Sequence, residues 1–134
     1  MLVILGPAEE GTKVAAMAGE DVVVVRHLGL SQVAALLSQC DLYLGNDSGI
    51  THLAAAIGIR TVALFGPTDP VQWRPRGKSV AVITEGVECS PCDISTMKSC
   101  AHVKCLSRLS PQTVIGLLEG MVAESLLDKD GLQI

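Results

Sequence analysis

The sequence has few aromatic residues, little charge and no long apolar run. Trp, Tyr and Phe occur once each, 2% of 134 residues, and the formal net charge is -4. Nucleic-acid surfaces need clustered Lys and Arg beside stacking rings, so this composition argues against a nucleic-acid partner. No apolar run approaches the roughly 20 residues of a membrane span, and the first six residues lack the charged front of a signal peptide. We therefore expect a soluble, cytoplasmic protein.

The apolar content, 49% of the residues, is ample for the core of one globular domain. Short apolar runs alternate with segments of helical period, which predicts an α/β fold: a parallel sheet covered by helices on both faces, in three layers. The valine run after Asp21 predicts a strand buried on both faces, and Ser31 is expected to cap a helix. The predicted strands are Leu2–Leu5, Asp21–Val25, Leu42–Gly45, Thr61–Phe65 and Ser79–Ile83, and the predicted helices are Glu10–Ala18, Ser31–Cys40, Ser48–Ile57 and one starting at Pro111.

In parallel sheets, ligands bind beyond the carboxyl ends of the strands. The loop after the third predicted strand carries Asp47, Ser48 and Gly49, with His52 one turn later. Asp47 is the predicted N-cap of the helix that follows. A diphosphate suits this helix start, because the first amides are unpaired, Ser48 adds a hydroxyl donor and Gly49 has no Cβ in the way. His52 can donate a further hydrogen bond to the diphosphate. Asp47 would be repelled by a bare diphosphate, whereas sugar hydroxyls would satisfy it. From these residues alone, plain helix capping without a ligand is an equally good interpretation.

The stretch "GNDSGITHLAAAIGIRTVALFGPTDPVQWRP" resembles the signature of glycosyltransferase family 9, the bacterial heptosyltransferases of the lipopolysaccharide inner core. The resemblance extends to "LVILGPAEE", "RHLGLSQVAALLSQCD" and "LSPQTVIGLL", and so covers nearly the whole chain. It implies the carboxyl-terminal, donor-binding half of a GT-B glycosyltransferase, a Rossmann-like fold. On this basis residues 1–134 form one nucleotide-sugar-binding domain, and the amino-terminal acceptor domain is absent.

The resemblance also implies an activity: inverting transfer of a heptose from an ADP-sugar to a lipid-linked saccharide, without a metal cofactor. The general base is expected in the absent domain, so this fragment alone should be inactive. A peripheral location at the inner face of the bacterial inner membrane is implied as well. By motif, the diphosphate and sugar meet Asp47, Ser48, Gly49 and His52, the ribose meets Glu9 or Glu10, the adenine meets the Leu28–Gly29 backbone, and the rim is formed by Thr68 and Asp69.

Residues 86–108, here called the cysteine segment, contain Cys89, Cys92, Cys100 and Cys105 in a C-x2-C-x7-C-x4-C pattern, with His102 among them. Thiolates at such spacing can close a tetrahedral zinc site. The separations are short and irregular for a zinc ribbon, so the favoured interpretation is reduced thiols that pack a loop. A zinc-stabilised or nucleotide-binding module without catalytic activity is the alternative. Self-association through the face left by the absent domain is also expected.

Overall fold

The structure is a computed structural model in which residues 1–6 and 21–130 are described, the last seven of them by their backbone alone. The predicted helix at residues 10–18 lies outside the described residues. The chain divides into two compact units, Met1–Leu36 and Leu37–Ile134. Both units are built from parallel strands and helices, so the predicted α/β class with parallel pairing is confirmed.

The first unit contains a two-stranded parallel sheet of β1 (Leu2–Ile4) and β2 (Val23–Val25), followed by the start of helix α1 (Leu30–Leu37). The expectation that the valine strand is buried on both faces is wrong: Val23 is 61% exposed. In the described sheet β2 pairs only with β1, which leaves its other edge without a strand neighbour.

Helix α1 begins one residue before the predicted cap, so Ser31 lies inside it. The Gly29 N–H donates to Oε1 of Gln32 at 2.8 Å, and the Gly29 carbonyl accepts from the Val33 N–H at 3.0 Å. Gly29 thus stands in the N-cap position, and Gln32 supplies the return bond of a capping box. A glutamine three residues after the cap was the sequence signal for this start.

The second unit contains a three-stranded parallel sheet in the order β3 (Leu42–Asn46), β4 (Arg60–Phe65), β5 (Val80–Thr84). All three strands were predicted to within a residue or two. The helices of this unit are α2 (Gly49–Ile57), α3 (Pro70–Trp73), α4 (Ile94–Ser99), α5 (Lys104–Ser107) and α6 (Pro111–Asp130). The cysteine segment, predicted as a loop, therefore contains two short helices.

The core of this unit lies on both faces of β4, its central strand. Val62 packs with Ile83 of β5 and Val114 of α6, so α6 covers one face of the sheet. Alternate residues of a strand face opposite sides of the sheet, so Thr61 faces away from Val62. Thr61 is in register with Tyr43, whose hydroxyl contacts α2. Helix α2 therefore covers the other face, and the sheet lies between the two helices in three layers.

Helix α2 ends at Gly58, which adopts φ 95° and donates its N–H to the carbonyls of Ala54 and Ala55. A Cβ at Gly58 would meet no atom within 4 Å, so only the backbone conformation opposes a side chain there. We expect Gly58→Ala to lower the free energy of unfolding by about 1 kcal/mol, measured by urea denaturation followed by circular dichroism. An unchanged unfolding midpoint would show that the helix end tolerates alanine without cost.

Candidate functional site

The loop between β3 and α2 lies at the carboxyl edge of the three-stranded sheet. The Asp47 N–H donates to the carbonyl of Leu64 at 3.1 Å, which continues the pairing of β3 with β4 past the end of the strand. The prediction that Asp47 caps α2 is wrong. Ser48 is the N-cap, in an extended conformation, and its Oγ accepts from the Thr51 N–H at 3.4 Å.

Asp47 is not the cap because its backbone still belongs to the strand pairing, which moves the helix start one residue along the chain. Its carboxylate is then available for other partners. The Oδ1 atom lies 3.8 Å from Nε2 of His52, the residue one turn into α2. The Asp47 side chain is 20% exposed and that of His52 is 43% exposed, so both can reach a ligand from solvent.

Thr51 stabilises this loop through hydrogen bonds from a buried position. It was not singled out from the sequence. It is fully buried, and its hydroxyl lies 3.2 Å from the Tyr43 hydroxyl and 3.1 Å from Ser48 Oγ, while it also bonds the carbonyl of Asn46. Three polar groups from β3 and the cap thus converge on one side chain. The signal that could have found it is the threonine at the third helical position after a serine cap.

Gly45 permits this arrangement because the Tyr43 ring, two residues earlier on the same face of β3, lies directly above it. A Cβ built on Gly45 would come within 2.6 Å of Cζ of Tyr43. Any side chain at this position would displace the ring and with it the hydroxyl that bonds Thr51. The Tyr-x-Gly spacing of β3 is therefore part of the support for the loop.

The amino end of α2 faces solvent and is sterically open. Ser48 and Gly49 are both exposed, and a Cβ on Gly49 would have no atom within 4 Å. The first amides of a helix, here Gly49 and Ile50, have no carbonyl acceptor in a preceding turn. The edge thus offers backbone donors, a hydroxyl and an imidazole beside one carboxylate, a set that suits an anion carrying hydroxyl groups.

The loop after β4 leaves the same edge of the sheet from the neighbouring strand. Asp69 is the N-cap of α3, where its Oδ1 accepts from the Val71 N–H at 2.9 Å. The Oγ1 of Thr68 is buried and has no hydrogen-bond partner among the described residues. The structure thus puts Thr68 and Asp69 at the edge that carries Asp47, although the Asp69 carboxylate is already engaged in capping.

The residues predicted to contact the ribose and the adenine lie in the amino-terminal part of the chain. Glu9 and Glu10 lie outside the described residues. Leu28 and Gly29 fall in the first compact unit, where Leu28 is half-buried and the polar backbone atoms of Gly29 both bond within α1. Their assignment to the ribose and the adenine stays a prediction.

The cysteine segment packs onto the loop after β4. Ser90 Oγ donates to the Gly66 carbonyl at 2.6 Å, and the Cys92 N–H donates to the Pro67 carbonyl at 2.7 Å. Leu106 covers Gly66 so closely that a Cβ there would come within 2.6 Å of Leu106 Cγ. The segment therefore fixes the start of the loop that carries Thr68.

The Cys92 thiol is influenced by its surroundings in the cysteine segment. Burial raises the pKa of the Cys92 thiol above its usual value, and the neighbouring charges of Cys89, Cys105 and Cys100 raise it further. Nearby, hydrogen bonds from Ser95 and Thr96 hold the pKa of the Asp93 carboxyl well below its usual range, because Asp93 caps α4. Cys92 thus lies close enough to the other three cysteines of the segment to be affected by them, which the sequence spacing alone did not establish.

The fold and this edge define a parallel α/β domain that presents a polar helix start beyond the carboxyl ends of its strands, the usual ligand position in this class. The chain belongs to glycosyltransferase family 9 (heptosyltransferase), whose family model matches residues 2–102. The resemblance noted in the sequence is thereby confirmed.

Curated relatives agree with this assignment. The chain is 36% identical over 91 residues to lipooligosaccharide heptosyltransferase 2 of Campylobacter jejuni, a match that covers 66% of this chain and 28% of the relative. It is 30% identical over 119 residues to lipopolysaccharide heptosyltransferase 1 of Pseudomonas aeruginosa, covering 77% of this chain and 33% of the relative. The chain therefore spans about a third or less of these relatives. No solved structure matches it.

Proposed function

We propose that this chain is the donor-binding domain of a GT-B heptosyltransferase that transfers a heptose from an ADP-sugar to the lipopolysaccharide inner core. The observation that carries the proposal is the open amino end of α2, where Ser48 caps the helix and leaves the Asp47 carboxylate and the His52 imidazole facing solvent. Membership of family 9 supports the choice of donor and acceptor. A second domain would supply the acceptor site.

In this proposal each group at the edge has a distinct role. The Gly49 and Ile50 amides, the Ser48 hydroxyl and His52 hold the diphosphate, while Asp47 accepts hydrogen bonds from sugar hydroxyls. Negative charge grows on the diphosphate as the glycosidic bond breaks, and donors already aimed at it stabilise that charge most in the transition state. None of these groups is assigned the role of the base that deprotonates the acceptor hydroxyl.

Calorimetric titration with ADP and with an ADP-sugar tests these roles. We expect His52→Ala to weaken both ligands about tenfold, because one charge-assisted hydrogen bond to the diphosphate is lost. Asp47→Ala should weaken the ADP-sugar by a similar factor but leave ADP as tight or tighter, since the carboxylate serves the sugar and repels the diphosphate. Both variants should keep the stability of the fold, because the contact between the two side chains is long, at 3.8 Å, and partly open to solvent, and such contacts contribute only about 0–1 kcal/mol.

Asp41→Ala is the matched control, because Asp41 is an exposed carboxylate just before the amino end of the same strand. It should change neither titration. Equal losses of ADP and ADP-sugar in Asp47→Ala would contradict the role given to the carboxylate. A folded wild-type chain that binds neither ligand would contradict the proposal that this domain holds the donor.

We also propose a peripheral position at the cytoplasmic face of the inner membrane, which rests on the lipid-linked acceptor proposed above. Among residues 1–6 and 21–130, no helix combines the length and the apolar character needed to cross a bilayer.

A further inference from the structure

All four cysteines of the cysteine segment line a single small cavity, together with His102. The cavity has a volume of about 50 Å³, and the rest of its wall is formed by Pro67, Met97, Val103 and Lys104. Four cysteines around one small space supply the thiolates that soft or borderline metal ions prefer, and Zn²⁺ binds four thiolates at about 2.3 Å. The cavity has room for one such ion.

In the structure the sulfur atoms of Cys92 and Cys100 have local partners. Cys92 Sγ donates to the Cys89 carbonyl at 2.9 Å, and Cys100 Sγ lies 3.6 Å from Nδ1 of His102. Accordingly, no three metal-ligating side chains of the described residues are already arranged to hold an ion. An ion would have to displace the thiol protons and draw the sulfur atoms into the cavity, as metal binding does when it completes a small fold.

We propose that Cys89, Cys92, Cys100 and Cys105 bind one zinc ion as a closed, structural tetrahedral site. This inference is independent of the proposed transferase activity. The fourth ligand is assigned to Cys105 because it is buried against the cavity, whereas His102 is exposed and its Nδ1 accepts from the Lys104 N–H at 3.4 Å. Binding releases the thiol protons to solvent.

The position of the ligands explains what such an ion would do. Cys89 and Cys92 flank Ser90, which bonds the Gly66 carbonyl, and Cys105 directly precedes Leu106, which covers Gly66. The ion would join the beginning and the end of the cysteine segment at the place where both contact the loop after β4. It would thus hold that loop in position from outside the ligand edge.

The test uses the full 134-residue chain under reducing conditions. We expect the purified protein to contain close to one zinc per chain, and its removal by a chelator to lower the melting temperature. Titration of the metal-free chain with Co²⁺ should produce thiolate-to-cobalt charge transfer and the visible bands of a tetrahedral centre. This measurement needs no variant, so it remains informative if substitutions impair folding.

Single Cys→Ser variants identify the ligands. Substitution of any of the four proposed ligands should weaken Co²⁺ binding about tenfold or more. Cys40→Ser, the cysteine outside the segment, and His102→Ala are the controls and should leave the cobalt spectrum unchanged. Two results would overturn the proposal: a reduced, folded wild-type chain without zinc or a cobalt spectrum, or a spectrum that survives Cys92→Ser and Cys105→Ser. Loss of the spectrum in His102→Ala, with Cys105→Ser unaffected, would overturn the four-thiolate ligand set.

Discussion

Gly49→Ala is expected to abolish measurable ADP binding while leaving the chain at least as stable as the wild type. Gly49 is the first residue of α2, and a Cβ there would meet no protein atom within 4 Å. The described glycines with positive φ are Gly58 and Gly86, so alanine fits the Gly49 backbone, and alanine favours a helix over glycine by up to about 1 kcal/mol.

The loss of binding follows from where the new methyl group lies. The diphosphate is proposed to approach the backbone at Gly49, so a methyl group on this residue would compete with it for the same space. Blocking two charge-assisted hydrogen bonds, each contributing about 1.5–3 kcal/mol, corresponds to roughly a hundredfold or more in Kd. Calorimetry with ADP measures the affinity, and urea denaturation measures the stability of the same sample.

Gly116→Ala is the matched control for this substitution. Gly116 lies in α6, and a Cβ there would also meet nothing within 4 Å. This variant should gain helix stability and bind ADP like the wild type. If Gly49→Ala also bound ADP with wild-type affinity, the amino end of α2 could not be the diphosphate site.

Thr51→Val is expected to lower the free energy of unfolding by about 2 kcal/mol and to weaken ADP binding in the variant that remains folded. The substitution keeps the shape of the side chain but removes the hydroxyl that meets Tyr43, Ser48 and the Asn46 carbonyl. Buried polar groups left without a partner cost about 1–3 kcal/mol. The Ser48 hydroxyl then loses its hydrogen bond to the Thr51 hydroxyl, so the loop that carries Asp47 is held less firmly.

Thr61→Val makes the same chemical change at the opposite end of the sheet. Thr61 is fully buried as well, and its hydroxyl donates to the Ile59 carbonyl at 3.0 Å. Ile59 directly precedes the first residue of β4. We expect a loss of about 1 kcal/mol in unfolding free energy and unchanged ADP affinity. Equal effects of the two substitutions on binding would show that Thr51 contributes only to general stability.

The elements of the second unit were predictable because their patterns are local. Apolar runs bounded by glycine and aspartate place β3 and β4 to within a residue, and Pro111 marks the first residue of α6. The cap of α2 was not predictable in the same way. Whether Asp47 or Ser48 takes that position depends on how far β3 stays paired with β4, which is decided by the bond from Asp47 to Leu64.

Other features depend on contacts between residues far apart in sequence. The valine run suggests burial on both faces, but burial depends on what packs on each face of the sheet, and Val23 is 61% exposed. The spacing of the cysteines favours reduced thiols and leaves a metal site as the alternative, whereas their convergence on one cavity accompanies the packing of the segment against Gly66 and Pro67. Sequence reasoning named the polar residues of the edge and missed Thr51 and Gly45, which support them from within.

The hydroxyl of Thr51 also ties the candidate site to the folding of the sheet. Its partners come from a strand residue, a strand-end carbonyl and the helix cap, so the complete set of bonds needs both the strand and the helix start in place. Opening of β3 would take the Tyr43 hydroxyl and the Asn46 carbonyl away from Thr51, and fraying of α2 would leave the Tyr43 hydroxyl without this partner. The strand end and the helix start therefore behave as one cooperative unit, and a ligand held there stabilises both together.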